Sequence, residues 1–78
     1  MKKYLITGGA GFYGSILKKE LIKDGHFCVS IDLEKDNFRN KNFVAFKGDI
    51  RDKDFLDDVF SKEEIDGIIH FAASSQVG

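Results

Sequence analysis

Four glycines stand at positions 8, 9, 11 and 14 in residues 7–14, TGGAGFYG, directly after the apolar run Tyr4-Leu5-Ile6. Two spacings coexist there, GxxGxxG from Gly8 and GxGxxG from Gly9. An apolar strand that feeds such a turn, with a helix opening near Phe12, suits the binding of a pyrophosphate. One glycine makes the tight turn, and one lets the backbone approach the phosphates without a Cβ in the way. The last lets the helix pack closely on the strand. The helix N-terminus then offers free N–H groups and the positive end of its dipole. The competing phosphate loop needs a lysine after its last glycine, and Ser15 stands there instead.

A dinucleotide site of this kind also calls for an acidic residue about 20 positions on, at the end of the second strand, to accept from the ribose hydroxyls. Asp32 lies 18 residues after Gly14 and follows the apolar run that ends at Ile31. A carboxylate there accepts from a free diol and repels a 2′-phosphate, so NAD is expected in preference to NADP. Lys35 and Arg39 lie near enough in sequence to soften that discrimination.

The elements that must hold these groups follow from hydrophobic periodicity. Residues 3–7 read as a buried strand ended by glycine, and residues 12–24 as a helix closed by Gly25 at the C′ position. Ile16, Leu17 and Leu21 mark the helix's buried face, which leaves Lys18, Lys19 and Lys23 for a solvated one. Residues 27–31 and 43–46 read as strands, with a polar loop over 33–42 between them. Asp52 is placed to cap a helix carrying Phe55, Leu56, Val59 and Phe60, and residues 66–71 supply a fourth strand. Strands and helices alternating in this way predict an α/β fold with a parallel sheet and right-handed crossovers.

Composition excludes several other classes. A net charge of −1 over 78 residues gives no basic surface for nucleic acid or an anionic membrane. Neither a membrane span nor a signal-peptide core is present in these residues, so a cytoplasmic location is expected. Cys28 has no internal disulfide partner and reads as a buried strand residue, and one cysteine with two distant histidines makes no metal-site spacing. His26 reads as a turn residue at the surface, and His70 as a strand-end histidine held by a hydrogen bond.

The turn at 7–14, Asp32, the run Gly48-Asp49-Ile50-Arg51-Asp52 and the run His70-Phe71-Ala72-Ala73 together resemble the extended short-chain dehydrogenase/reductases. Within them the likeness is to the NAD-dependent epimerase/dehydratase family, and it covers essentially the whole chain. The resemblance implies the N-terminal part of a Rossmann doubly wound parallel sheet, about four strands in the order 3-2-1-4, as one NAD(P)-binding domain over residues 1–78. It places Gly8, Gly11 and Gly14 around the pyrophosphate, with the backbone amides of Phe12 and Tyr13 near the phosphates. Asp49 and Ile50 would meet the adenine through the carboxylate and the Ile50 amide, and Ala72 and Ala73 would leave room for the cofactor. Tyr13 departs from the family, which more often has isoleucine there.

For a full-length parent the resemblance implies a nucleotide-sugar substrate, hydride transfer to NAD and a homodimer. The family's acid/base chemistry uses a Tyr-x-x-x-Lys pair, yet Gly8 stands four residues after Tyr4 and Leu17 four after Tyr13. No catalytic residue is therefore assigned, Ser74 and Ser75 included. Two readings stay open: the N-terminal part of a longer epimerase, dehydratase or related reductase, or a free-standing module that binds or senses NAD(P). An apolar edge at residues 66–71 would leave the isolated chain marginally stable or prone to aggregate.

Overall fold

The computed structural model describes residues 1–70. Its elements run β1 (Lys3–Thr7), α1 (Phe12–Lys23), β2 (Phe27–Asp32), β3 (Phe43–Lys47), α2 (Lys53–Lys62) and β4 (Gly67–His70). All strand pairs are parallel and the sheet order is β3-β2-β1-β4, the order expected from the sequence. The strands β2 and β3 each reach one residue further than the periodicity suggests, to Asp32 and Lys47. Phe71, Ala72 and Ala73 lie outside the described residues, as do Ser74 and Ser75. No helix among the described residues is long and apolar enough to cross a membrane.

The two central strands carry the core. Four of the six residues of β2 are buried, because α1 and the loop after β2 cover one face of the sheet while α2 covers the other. Leu5, Val29, Ile31 and Val59 form the α2-side core, with Val44, Phe46, Phe55 and Leu56 packed against it. Asp52 caps α2 by accepting from the Phe55 amide, which satisfies one of the four N–H groups left open at a helix start. Phe60, expected in the apolar stripe of α2, is partly exposed at its flank. Cys28 is fully buried, as a strand cysteine among apolar neighbours should be.

The helix α1 keeps Leu17 and Leu21 part-buried and Lys19 and Lys23 exposed, as expected, but departs from the expected faces at Ile16 and Lys18. Its buried residues are Gly14 and Lys18, whereas Ile16 is half exposed. Gly14 sets the helix's phase. A Cβ built on it would stand 2.7 Å from Gly9 Cα and 3.1 Å from Gly8 C, closer still to the Gly8 oxygen. Helix and turn therefore meet backbone to backbone at this point. Position 18, one turn along the same face, must then point inward as well. The lysine expected in solvent is 2% exposed.

The two glycines that bound α1 predict different costs. At Gly14 the obstruction is backbone, which cannot swing aside, so Gly14→Ala should cost about 1–3 kcal/mol by overpacking. At Gly25 the φ is +89° with open space around the Cβ position, so Gly25→Ala should cost only about 1 kcal/mol of left-handed strain. Urea melts of the two variants check the order. A Gly14→Ala midpoint equal to the parent's would refute the close-approach account.

Candidate functional site

The glycine turn is built by backbone bonds from the strands that flank it. The Gly8 amide donates to the Ile31 carbonyl at 2.8 Å, which carries the chain across from β1 to the end of β2. Gly8 has a φ of +79°, in the left-handed region that favours glycine. Gly11 then donates back to the Gly8 oxygen at 3.1 Å and serves as the N-cap of α1, with no side chain to satisfy the amides behind it. The first intrahelical bond of α1 runs from Ser15 to Gly11. The amides of Phe12, Tyr13 and Gly14 thus belong to the first turn, which has no intrahelical acceptors to offer them. Phe12 and Tyr13 are themselves 74% and 70% exposed, and their rings stand edge-on to each other.

Asp32 stands beside this turn. One carboxylate oxygen accepts from the Ala10 amide of the turn and the other from the Glu34 amide of the following loop, each at 3.0 Å. A carboxylate has about four lone-pair directions. Two remain for a ligand's hydroxyl donors. Asp32 is therefore held in place without being used up.

The end of β3 joins the same rim. The Gly48 amide donates to the Asp32 carbonyl at 2.9 Å, so Asp49 follows directly beside the end of β2. The ring of Phe55 occupies the space above Gly48 where a Cβ would otherwise project. Asp49 accepts from the Arg51 amide at 2.9 Å and pairs with the Arg51 guanidinium, whose closest nitrogen is 2.7 Å away. The side-chain bond from Arg51 and then its backbone amide hold the Asp49 carboxyl down to about 2 against desolvation, with the Arg51 charge adding least. Arg51 was not expected in this role. A three-residue Asp-x-Arg turn offers only a weak local signal, because the pairing depends on where the loop turns.

The structure thus brings Gly8, Gly11, Gly14, the first turn of α1, Asp32, Asp49 and Ile50 to one end of the sheet, at the carboxyl ends of the strands. In open parallel sheets that is where ligands bind. His70, at the end of β4, shares a hydrogen bond of 2.5 Å with the Thr7 hydroxyl, so it is held as a strand-end residue. His26 is less exposed than a turn residue usually is. Its Nδ1 accepts from the Lys2 amide and its ring stands edge-on to Tyr4.

Sequence periodicity missed a second charged centre behind the turn. The Lys18 ammonium donates to the Gly9 carbonyl at 3.1 Å and pairs with Asp36 at 2.5 Å, with side-chain exposures of 3% and 6%. The rings of Phe38 and Phe43 each lie 5.1 Å from the same ammonium. Breaking such a buried pair by removing one partner costs about 3–5 kcal/mol. The signal available in the sequence was the glycine spacing itself, which sets the helix phase and so places residue 18.

Known proteins match both this sequence and this geometry. The family model of GDP-mannose 4,6 dehydratase matches residues 5–78. UDP-glucose 4-epimerase of Streptomyces lividans is 43% identical over 80 residues, a match covering 97% of this chain and 24% of that protein. Among solved structures, UDP-glucose 4-epimerase of Thermotoga maritima with UDP-glucose superposes with a TM-score of 0.78 at 30% identity, over 90% of this chain and 24% of that one. The Bordetella bronchiseptica enzyme WbmG in complex with NAD gives 0.81 at 28% identity, over 90% and 24%. The chain thus spans about a quarter of the length of these relatives. A glycine turn without room for a Cβ, an acidic end to β2, the sheet order and the extent of these matches lead to one conclusion: the chain belongs to the epimerase/dehydratase family of extended short-chain dehydrogenase/reductases.

Proposed function

We propose that this chain binds the adenosine diphosphate half of NAD, as part of a protein that acts on a nucleotide sugar by epimerase or dehydratase chemistry. The observation that carries this reading is Asp32. Its carboxylate is fixed by the Ala10 and Glu34 amides beside the glycine turn and keeps lone pairs for a ribose diol. The turn fits the group, because Gly14 leaves no Cβ between helix and turn and the first-turn amides of α1 have no intrahelical acceptors to compete with a phosphate. The complex of WbmG with NAD supports the choice of ligand, and the complex of the Thermotoga relative with UDP-glucose supports the substrate class.

In this reading Gly8, Gly11 and Gly14, with the amides of Phe12 and Tyr13, receive the pyrophosphate. Asp32 accepts from the ribose hydroxyls, and its charge opposes a 2′-phosphate. Asp49 accepts from the adenine's exocyclic amine while the Ile50 amide meets a ring nitrogen. NAD, when bound, supplies a hydride acceptor for sugar oxidation. The residues of this chain bind and orient its adenosine half, and the sugar is read elsewhere in the protein.

Calorimetric titration of NAD and NADP tests Asp32. The parent chain should prefer NAD, and Asp32→Ala should weaken NAD by about 10- to 100-fold, the scale of hydrogen bonds to a charged group. It should also narrow the preference over NADP. Equal NAD binding by parent and variant would remove Asp32 from its role.

Asp49 gives a pH test. Its folded value is depressed to about 2 from the usual 3.8 by Arg51. Whatever this pairing contributes to stability is therefore present above pH 3.8 and fades as pH falls through 2. Arg51→Met should return the Asp49 midpoint towards 3.8, followed by carboxyl NMR across pH 1.5–6. A midpoint that does not move would show that another group holds the charge.

A further inference from the structure

The Gly9–Ala10 peptide group is gripped at both of its polar atoms. Its oxygen accepts from the buried Lys18 ammonium at 3.1 Å, and its N–H donates to Asp32 at 3.0 Å. The cation and the carboxylate therefore fix the orientation of one peptide plane between them, and that plane belongs to the glycine turn. Glycine on one side of this unit leaves the plane free to rotate unless something holds it. Lys18 also reaches the loop after β2 through Asp36, at 2.5 Å. Asp32 reaches the same loop through the Glu34 amide. Turn and loop are thus joined twice, once by an anion that collects N–H groups and once by a cation that collects oxygens.

We propose that Lys18 is a positioning residue for the dinucleotide site, acting through the Gly9–Ala10 peptide to aim the Ala10 amide at Asp32 and so set the carboxylate for the ribose diol. The inference rests on the reading of the chain as an NAD-binding one. It goes beyond that reading because Lys18 touches no ligand in it and lies on the inner face of α1, where an apolar side chain would suffice for packing. An aliphatic residue there would leave the Gly9 oxygen without its donor and Asp36 without its countercharge. The ammonium is enclosed by Phe38 and Phe43 at 5.1 Å each, so solvent cannot easily replace it. The consequence falls on the selectivity of the site, since Asp32 discriminates between a 2′-hydroxyl and a 2′-phosphate only where its oxygens point at that position.

The test uses the full chain with Lys18→Met and the double variant Lys18→Met/Asp36→Leu, which removes both buried charges together and spares the single variant's unpaired carboxylate. Two readouts are taken: amide hydrogen exchange by NMR, and titration with ADP-ribose and 2′-phospho-ADP-ribose. In the double variant the Ala10 amide should exchange at least about tenfold faster, while Leu5 and Val29 in the sheet keep their protection. ADP-ribose should weaken about tenfold, the scale of one misaligned charged hydrogen bond, and the preference over the 2′-phosphate should narrow. Uniform loss of protection at Ala10 and in the sheet would mean a merely structural lysine and overturn the inference. So would an unchanged ratio between the two ligands in a parent that binds them. Failure of the parent chain to bind either ligand would instead overturn the dinucleotide reading, and the inference with it.

Discussion

The approach of Gly14 to the backbone of Gly8 and Gly9 is the contact on which this end of the molecule depends. With no Cβ at Gly14, α1 seats its first turn directly on the glycine turn, and a side chain there would displace the whole helix. Three things follow from one close approach. The amides of the first turn are brought to the carboxyl end of the sheet. The rotational phase of α1 is set, so that residue 18 faces inward. The turn itself is clamped between β1, the end of β2 and the helix, through the Gly8 bond to Ile31 and the Gly11 bond to Gly8.

Charge then finishes what close packing begins. A turn rich in glycine is flexible, and a mostly polar ten-residue loop has no strand ladder to order it. Asp32 and Lys18 supply the order by joining turn to loop from opposite signs of charge. A buried cation with a single carbonyl partner would be hard to sustain. Here Asp36 and two aromatic faces share it, and Asp36 in turn accepts from the Phe38 amide. The phenylalanines so held are themselves packed edge to face, with ring centres 5.1 Å apart. The loop after β2 is therefore organised around an ion pair rather than around a helix or strand, which explains how so polar a segment keeps a defined course.

Much of this was legible beforehand because the relevant physics is local. Strand lengths, the helix stop at Gly25, the Asp52 cap and the place of Asp32 at a strand end each depend on a few neighbouring residues. The sheet order was legible through the resemblance carried by four motifs in sequence. Lys18 was misread for an equally physical reason. Hydropathy assigns a lysine to solvent, and the apolar residues Ile16, Leu17 and Leu21 offered a plausible buried face without it. The close approach of Gly14 outweighed that pattern, because a backbone clash is steeper than the gain from burying one isoleucine. The part-buried setting of His26 was missed because its partner Lys2 is brought near only by folding, and Arg51 because a two-residue spacing does not by itself say which way a loop turns.

By itself the sequence determined the kind of site: a strand, a glycine turn and a helix start, followed by a carboxylate at the end of the next strand. Those are properties of residue type and short spacing, and they survive any detail of packing. The tertiary structure alone decided how the site is held. It placed a lysine under the turn, an aspartate from a distant loop beside that lysine, and a guanidinium on Asp49. The first two pairings join segments that hydrophobic periodicity treats separately, whereas the third closes a three-residue turn. A charge is buried only where a partner of opposite sign meets it, and the meeting point is a property of the fold.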